Sequence, residues 1–463
     1  MALPPGPRGL PLIGDLKMFG NDTLAYSTGL WKQYGNLFTV DFGPRKLVFM
    51  LGPQYNYMIL ADQPDNFLSG PSSRLTAGAM FGDGVLFIDG EPHKQSRRML
   101  QPAFHKKRVE TYRDAMVEET ERFIADWQGE IDVAHLLHHL TLNMVSRVLF
   151  GLDIAAESQG LSDSWNAVME GTSDPLGAVM ARIPFSGRRR GMAKIDAMIY
   201  RLIANRRAQP RDTDDVISML LAATDEDGTT FSDKQIRDHL MVLFLAGHET
   251  SANGLAWIFY LLAQHPEWAR RLLDEFNTVL GGRAPTLADI ERLPTLDMVV
   301  KESLRIIPPV PGFTRTVAHD FEVEGYTIPA GTMVYYGIYA THYTPDSFPE
   351  PETFRPDRFA PDAERKYSAY EYLPFGAASR LCLGMPMATL EMKLVLAIVM
   401  QKYRLDLVPD QTVQIRVRGT LIPQYGIRMK VNPQDGQVEC SPARVYGNAP
   451  LAVIEHTDSR AQN

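Results

Sequence analysis

Between residues 91 and 280 the apolar side chains recur at helical spacing with few breaks, and that run limits what the chain can become: its bulk is helical. No internal repeat, low-complexity tract or Gly/Ser linker divides the 463 residues. A single, mainly α (α+β) domain over residues 1–431 follows, in preference to several small domains. Strands are confined to three places. TVDFG and KLVFMLG predict a hairpin turning at Gly43 and Pro44, residues 313–341 alternate around Gly325, Pro329 and Gly331, and residues 413–431 form another strand-like region. Between the last two, TPDSFPEPETFRPDRFAP carries Pro345, Pro349, Pro351, Pro356 and Pro361, which exclude a long helix or central strand and predict a meandering surface loop. Residues 3–14 read as a stiff, extended lead-in, too rich in Pro and Gly for a signal peptide. Residues 432–463 lack periodicity and read as a loosely ordered tail.

With 45% hydrophobic and 22% charged residues the chain can bury a large core without disulfides. Its two cysteines, Cys382 and Cys440, make no framework and fit a reducing compartment, so the cytoplasm is expected. A net charge of −8 with no basic stripe among aromatics argues against nucleic-acid binding. Apolar runs such as LMVLFLAG, residues 240–247, fall far short of the roughly 20 residues a membrane-spanning helix needs.

The segment LPFGAASRLCLGMPMA brackets Cys382 with glycines and an arginine, and an apolar helical pattern follows it. A lone cysteine is most often a small buried hydrophobe. Here the thiol precedes a helix N-terminus, where free N–H groups and the helix dipole favour a thiolate able to bind a metal. No other cysteine or histidine stands at zinc-site spacing, so a large planar cofactor suits the site better, with haem the natural candidate. Gly376 and Gly384 would let the backbone approach such a ring, and Arg380 could pair with a carboxylate on it. In LAGHETSA, Gly247, Glu249 and Thr250 form a polar island inside an apolar helix, and a mid-helix threonine such as Thr250 ordinarily bonds back to the carbonyl four residues earlier, that of Ala246.

Phe375, Gly376, Arg380, Cys382 and Gly384 match the signature Phe-Gly-x-Gly-x-Arg-x-Cys-x-Gly, and the chain thereby resembles the cytochrome P-450 haem-thiolate monooxygenases; Ala378 stands where the family usually has glycine. Ala246, Gly247, Glu249 and Thr250 are similar to the family's oxygen-binding helix, Ala-Gly-x-Asp/Glu-Thr. Glu302 and Arg305 in KESLR resemble its Glu-x-x-Arg pair, with Arg358 of FRPDRF as third member, and His93 and Arg97 its His-x-x-x-Arg pattern. The resemblance implies one P-450 fold with small β-sheets, haem b lying between the distal helix and the cysteine loop, and Cys382 as axial ligand. Phe375 would lie against the sulfur, and His93, Arg97, Arg315 and Arg380 would hold the propionates. Thr250 would stabilise the oxygen bound to iron, Glu249 would support proton delivery, and Glu302, Arg305 and Arg358 would fix the cysteine loop. Residues 69–86 with Val242, Leu243, Ala246, Val310, Phe313, Leu421 and Ile422 would line a hydrophobic substrate pocket, and Arg188, Arg189 and Arg190 would sit in a mobile loop at its entrance.

The implied activity is insertion of one oxygen atom of O2 into a C–H bond of a lipid, fatty acid, terpenoid or similar molecule. Electrons would come from a separate ferredoxin or flavodoxin type donor docking near Lys106, Lys107 and Arg108, onto a monomer. A peroxide-driven haem-thiolate oxidase and a non-catalytic haem-based sensor are the alternatives.

Overall fold

The computed structural model describes residues 3–9, 14–19, 22–42, 45–76, 81–151, 187–209, 215–437 and 443–450. Its principal helices are α1 (Thr23–Tyr34), α2 (Gly90–Leu100), α3 (Lys106–Ile124), α4 (Val133–Phe150), α5 (Gly187–Ala208), α6 (Asp233–Gln264), α7 (Pro266–Val279), α8 (Pro294–Ile306) and α9 (Met385–Lys402).

Helix α6 begins at a capping box in which Ser232 and Gln235 satisfy each other's backbone N–H groups, and it runs 32 residues through the centre of the core. Gly247 lets α4 lie close against it, because a Cβ at that position would come within 2.7 Å of Val145 Cγ2. Asp132 caps the start of α4, and α4 ends at Gly151, whose φ of 64° is the left-handed stop that glycine adopts without cost. Pro294 opens α8 at its first turn, where the Glu275 carboxylate of α7 accepts the orphan N–H groups of Thr295 and Leu296 at 2.7 and 3.0 Å. Helix α9 is buried on nearly every side, from Met387 to Met400.

The strands stand outside this bundle. A five-stranded sheet has the order β1 (Leu37–Phe42), β2 (Arg45–Met50), β8 (Met333–Gly337), β5 (Gly312–Val317), β3 (Phe67–Leu68). The predicted hairpin pairs β1 with β2, its turn at Gly43 and Pro44 lying outside the described residues, and β2 runs parallel to β8. A three-stranded sheet joins β4 (Gly129–Asp132), β12 (Arg428–Pro433) and β9 (Tyr403–Leu407), and β6 (Phe321–Val323) pairs with β7 (Tyr326–Ile328). The remaining pair, β10 (Ile415–Arg418) and β11 (Thr420–Pro423), is pinned to α6 by the Trp257 indole N–H, which donates to Leu421 O at 2.8 Å.

Three expectations change. The proline-rich stretch is irregular apart from a turn at Pro356–Phe359, but it is more than a surface loop, because Phe348, Phe354 and Arg358 on its inner side are buried. The strand region expected over residues 313–341 gives way at its end to a short helix, Ile338–His342. Residues 443–450, expected in a loose tail, are seated on the core: Val445 and Ala449 are buried, and Tyr260 Oη donates to Pro450 O at 2.6 Å. Cys440 lies outside the described residues.

Candidate active site

In a helix packed on both sides, residues that stay accessible face an interior space. Within α6 the run Val242, Leu243 and Phe244 is buried, as are His248 and Glu249, yet Ala246 is exposed and Thr250 partly so. The Thr250 hydroxyl makes the expected back-bond, donating to Ala246 O at 2.5 Å. Glu249, next to it, turns away from that face, and its Oε1 accepts from the Thr420 hydroxyl at 2.8 Å.

The cysteine loop is folded on its own backbone. Cys382 N–H donates to Phe375 O at 2.8 Å, and Gly376 N–H to Leu373 O at 2.9 Å with Gly376 at φ 72°. Ala378, where the sequence departs from the expected glycine, also takes a left-handed backbone, φ 52°, which an alanine adopts only at a cost. The Cys382 side chain is accessible, yet protein surrounds it on all sides, so it opens onto an enclosed space and not onto bulk water. That enclosure pushes the thiol pKa up, against the pull of the Gly384 and Met385 N–H groups and of Arg97. The N–H groups at the helix start and Arg97 thus favour the thiolate as expected from sequence, while burial opposes them. Gly384 leaves room beside the sulfur: a Cβ there would lie 3.8 Å from Sγ, in ordinary contact, filling space now open to a flat group.

A cluster of cations lies beside the loop. Arg97 Nη2 donates to Leu381 O at 2.6 Å, tying α2 to the residue before the cysteine. Arg380 reaches Ile88 O at 3.1 Å and Asp89 Oδ1 at 2.6 Å, and Arg315 reaches Thr314 O at 2.8 Å and Tyr336 Oη at 3.3 Å. These charges oppose one another. Burial, then Arg315, lowers the Arg380 pKa to about 10, and burial with Arg380, Arg97 and Arg315 lowers that of His93 to about 4. Asp89 is the carboxylate that pairs with Arg380, and it is also engaged by the N–H groups of Ser69 and Gly70. Three guanidiniums against one carboxylate leave a half-buried surplus of positive charge that two further carboxylates would neutralise. The donor set, the open space at Gly384 and the enclosed thiol fit a haem with its two propionates.

Glu302, Arg305 and Arg358 meet as expected. Glu302 accepts from Arg305 Nε at 2.7 Å, Arg305 Nη2 at 2.8 Å and Arg358 Nε at 3.2 Å, all within the core, and from the partly buried Arg355 N–H at 2.8 Å. Arg305 also donates to His342 O, Pro351 O and Thr353 O. His342 then carries the link to the cysteine loop. Its Nδ1 donates to Arg305 O at 3.2 Å, and its Nε2 accepts the Leu373 N–H at 3.1 Å, two residues before Phe375. Burial and the neighbouring Arg305 hold its pKa down at about 3, so it stays neutral and keeps that acceptor.

Other predicted positions separate. Val310 and Phe313 remain partly accessible, while Leu421 is sealed in the core and Val242 and Leu243 are buried; Ile422 is partly buried on β11. Of the stretch 69–86, residues 77–80 lie outside the described residues. Arg189 and Arg190 stand in the first turn of α5, a correction to the loop expected there. Phe375 packs at the core margin. Lys106 and Lys107 are exposed at the start of α3, with Lys106 bridged to Glu291. A surface groove of about 670 Å³ among Phe259, Leu273, Tyr403 and Arg404 contains none of the predicted site residues. Sequence reasoning missed Asp89, Tyr336, His342 and Thr420. Each sits far along the chain from its partner and carries no local pattern; only the Asp at the start of α2 offered a signal, as a helix-start residue.

The sequence model of the cytochrome P450 family matches residues 4–431. Cyclooctatin synthase of Streptomyces melanosporofaciens is 34% identical over 427 residues, covering 90% of this chain and 92% of that protein. Cyclooctat-9-en-7-ol 5-monooxygenase of the same organism is 32% identical over 417 residues, covering 88% and 90%. The structure of retinoic acid bound cyanobacterial CYP120A1 superposes with a TM-score of 0.86 at 28% identity, over 94% of this chain and 99% of that one. The chain belongs to the cytochrome P450 family and is an oxidoreductase, a monooxygenase that holds haem through a cysteine thiolate and uses dioxygen.

Proposed function

We propose that this P450 hydroxylates a C–H bond of an apolar, terpenoid-like small molecule, with haem b held by Cys382. The observation that carries the substrate class is the likeness, above 30% identity, to two proteins whose names concern cyclooctatin and cyclooctat-9-en-7-ol. The accessible apolar surfaces of Ala246, Val310 and Phe313 support it.

Thiolate-ligated haem supplies reductive activation of dioxygen, the sulfur pushing electron density towards the iron, a general property of P450 haem. The chain's residues do the rest. Arg97, Arg315 and Arg380, with neutral His93, would hold the propionates and fix the ring's rotation. Thr250, its hydroxyl at the accessible face of α6, would hold a hydrogen bond in the distal space. Glu249 would supply protons from the buried side. The overall balance is R–H + O2 + two electrons + two protons giving R–OH and water. The electrons would come from a separate ferredoxin or flavodoxin type donor, and exposed Lys106 and Lys107 on α3, which packs against α9, are the docking candidates. No helix among the described residues is long and apolar enough to cross a membrane, and we assign the protein to the cytoplasm as a monomer.

The test is a ligand screen for a shift in iron spin state, followed by turnover. A terpenoid that shifts the spin state should yield a product heavier by one oxygen, labelled from ¹⁸O2. Labelling from water, or a spin shift with fatty acids alone, would overturn the proposal. In the Thr250→Ala variant electron consumption should persist while peroxide replaces product; tight coupling would contradict the assigned role.

A further inference from the structure

The buried side of Glu249 carries a connected set of polar groups from three elements. Thr420 of β11 contacts Glu249 Oε1 at 2.8 Å, Asn253 Nδ2 lies 3.2 Å from Thr420 Oγ1, and His138 Nε2 of α4 lies 3.2 Å from Asn253 Oδ1. All of these contacts lie within the protein: Glu249, Asn253 and Thr420 are buried and His138 is partly so.

The chemistry of each group fixes the direction of the set. An ionised carboxylate only accepts, so the Thr420 hydroxyl must donate its one proton to Glu249. Thr420 then accepts, and the neighbour able to donate is the Asn253 amide nitrogen. That orientation turns Asn253 Oδ1 towards His138, which must present Nε2–H. An amide does not pass protons readily between its oxygen and nitrogen, so the set is no proton wire. It is a brace.

We propose that His138, Asn253 and Thr420 form a one-directional brace that occupies Glu249 Oε1 and so reserves Oε2 as the oxygen that takes up and releases the proton used at the haem. With Oε1 already accepting a strong hydrogen bond, a proton arriving on the carboxylate is favoured on the other oxygen. The three are positioning residues, acting through Glu249. The brace needs His138 neutral with its proton on Nε2. Burial, aided by His248 on α6, Arg418 at the end of β10 and His135 on α4 and opposed by the Asn253 bond, depresses the His138 pKa to about 3 and keeps the ring neutral, while Asn253 Oδ1, an acceptor 3.2 Å from Nε2, selects the Nε2–H tautomer.

The inference rests on the reading of Glu249 as proton source, and the test separates the two. Thr420→Val and His138→Leu should each lower product formed per electron pair several-fold, with peroxide making up the difference. Thr420→Ser and His138→Gln, which restore the hydroxyl and the N–H, should recover most of it. The absorbance of the reduced, carbon-monoxide-bound protein should be unchanged in all four, showing intact thiolate ligation. Independently of turnover, ¹⁵N-imidazole resonances should show His138 as the Nε2–H tautomer near neutral pH. An Nδ1–H tautomer, or full coupling in both Thr420→Val and His138→Leu, overturns the brace. If Glu249→Gln uncouples while those two variants do not, the brace alone falls. If Glu249→Gln couples fully, the reading of Glu249 falls, and with it the brace's role in catalysis.

Discussion

Ala378→Gly should make the protein more stable, which is unusual for a change inside a cofactor loop. Ala378 holds φ 52° in the turn between Gly376 and Arg380. Its side chain is exposed, so the methyl group contributes little packing that glycine would lose. A left-handed backbone costs a residue with a Cβ about 1–2 kcal/mol. Against that, glycine gives the unfolded chain freedom that offsets about 0.4–1 kcal/mol. The difference is a net stabilisation of about 0.5–1 kcal/mol. At about 2.1 cal/mol/K of unfolding entropy per residue, a chain of 463 residues has about 1 kcal/mol/K in total, so the thermal midpoint should rise by only about 1 °C. Guanidinium unfolding followed by far-UV ellipticity resolves such a change better than a melt, with Ala378→Val as the opposite control, since a β-branched residue tolerates this backbone least. An unchanged or lower midpoint for Ala378→Gly, or a Val variant equal to wild type, would refute the reasoning.

Glu302→Ala leaves two guanidiniums in the core without their carboxylate and should cost about 3–5 kcal/mol, read as a lower unfolding midpoint and loss of the thiolate-ligated spectrum; a near-native midpoint would contradict the network. Acid should destabilise the fold well above the carboxylate range. Burial, joined by cationic or histidine neighbours at His138, His342 and His248 and opposed by Asp238 at His239, holds His138 and His342 at about 3 and His239 and His248 at about 4, below the ordinary 6.5. The unfolded chain therefore binds these protons first, stability is complete above pH 6.5, and it falls with pH towards 4, by at most about 5 kcal/mol per pH unit for the four together. An unfolding midpoint flat between pH 6.5 and 4 would count against these burials. Arg380→Gln should weaken haem retention, measured as faster transfer of haem to apomyoglobin, because Asp89 loses its cation and a propionate loses its partner; an unchanged transfer rate would remove Arg380 from the site.

Much of the site was legible because its chemistry lies in short local runs. The helical periodicity of residues 91–280 announced α2 to α7, and the runs around Gly247 and Cys382 announced the polar break in α6 and the loop before α9. The reason for a given residue was less legible than its presence. Gly247 serves the contact with Val145, and Ala378 carries a backbone conformation that no side-chain pattern reveals. Partners contributed from afar could not be read at all. His342 joins Arg305 to Leu373, Thr420 meets Glu249 across 171 positions, and Asp89 meets Arg380 across 291. Strand β9, Tyr403–Leu407, alternates as a strand should, with Arg404 and Asp406 as its polar positions, but it follows α9 without a loop, so no turn residue marks where helix gives way to strand. The tail deceived for a related reason: its anchors Val445, Ala449 and the Pro450 carbonyl are single points without a period.

The absorbance spectrum of the dithionite-reduced, carbon-monoxide-bound protein, recorded for wild type and for Cys382→Ala, tests the central claim most directly. A Soret band at the long wavelength of thiolate-ligated haem, present in wild type and absent in the variant, is the expected result. A wild-type spectrum of the histidine-ligated kind, or a long-wavelength band that survives the loss of Cys382, would contradict it.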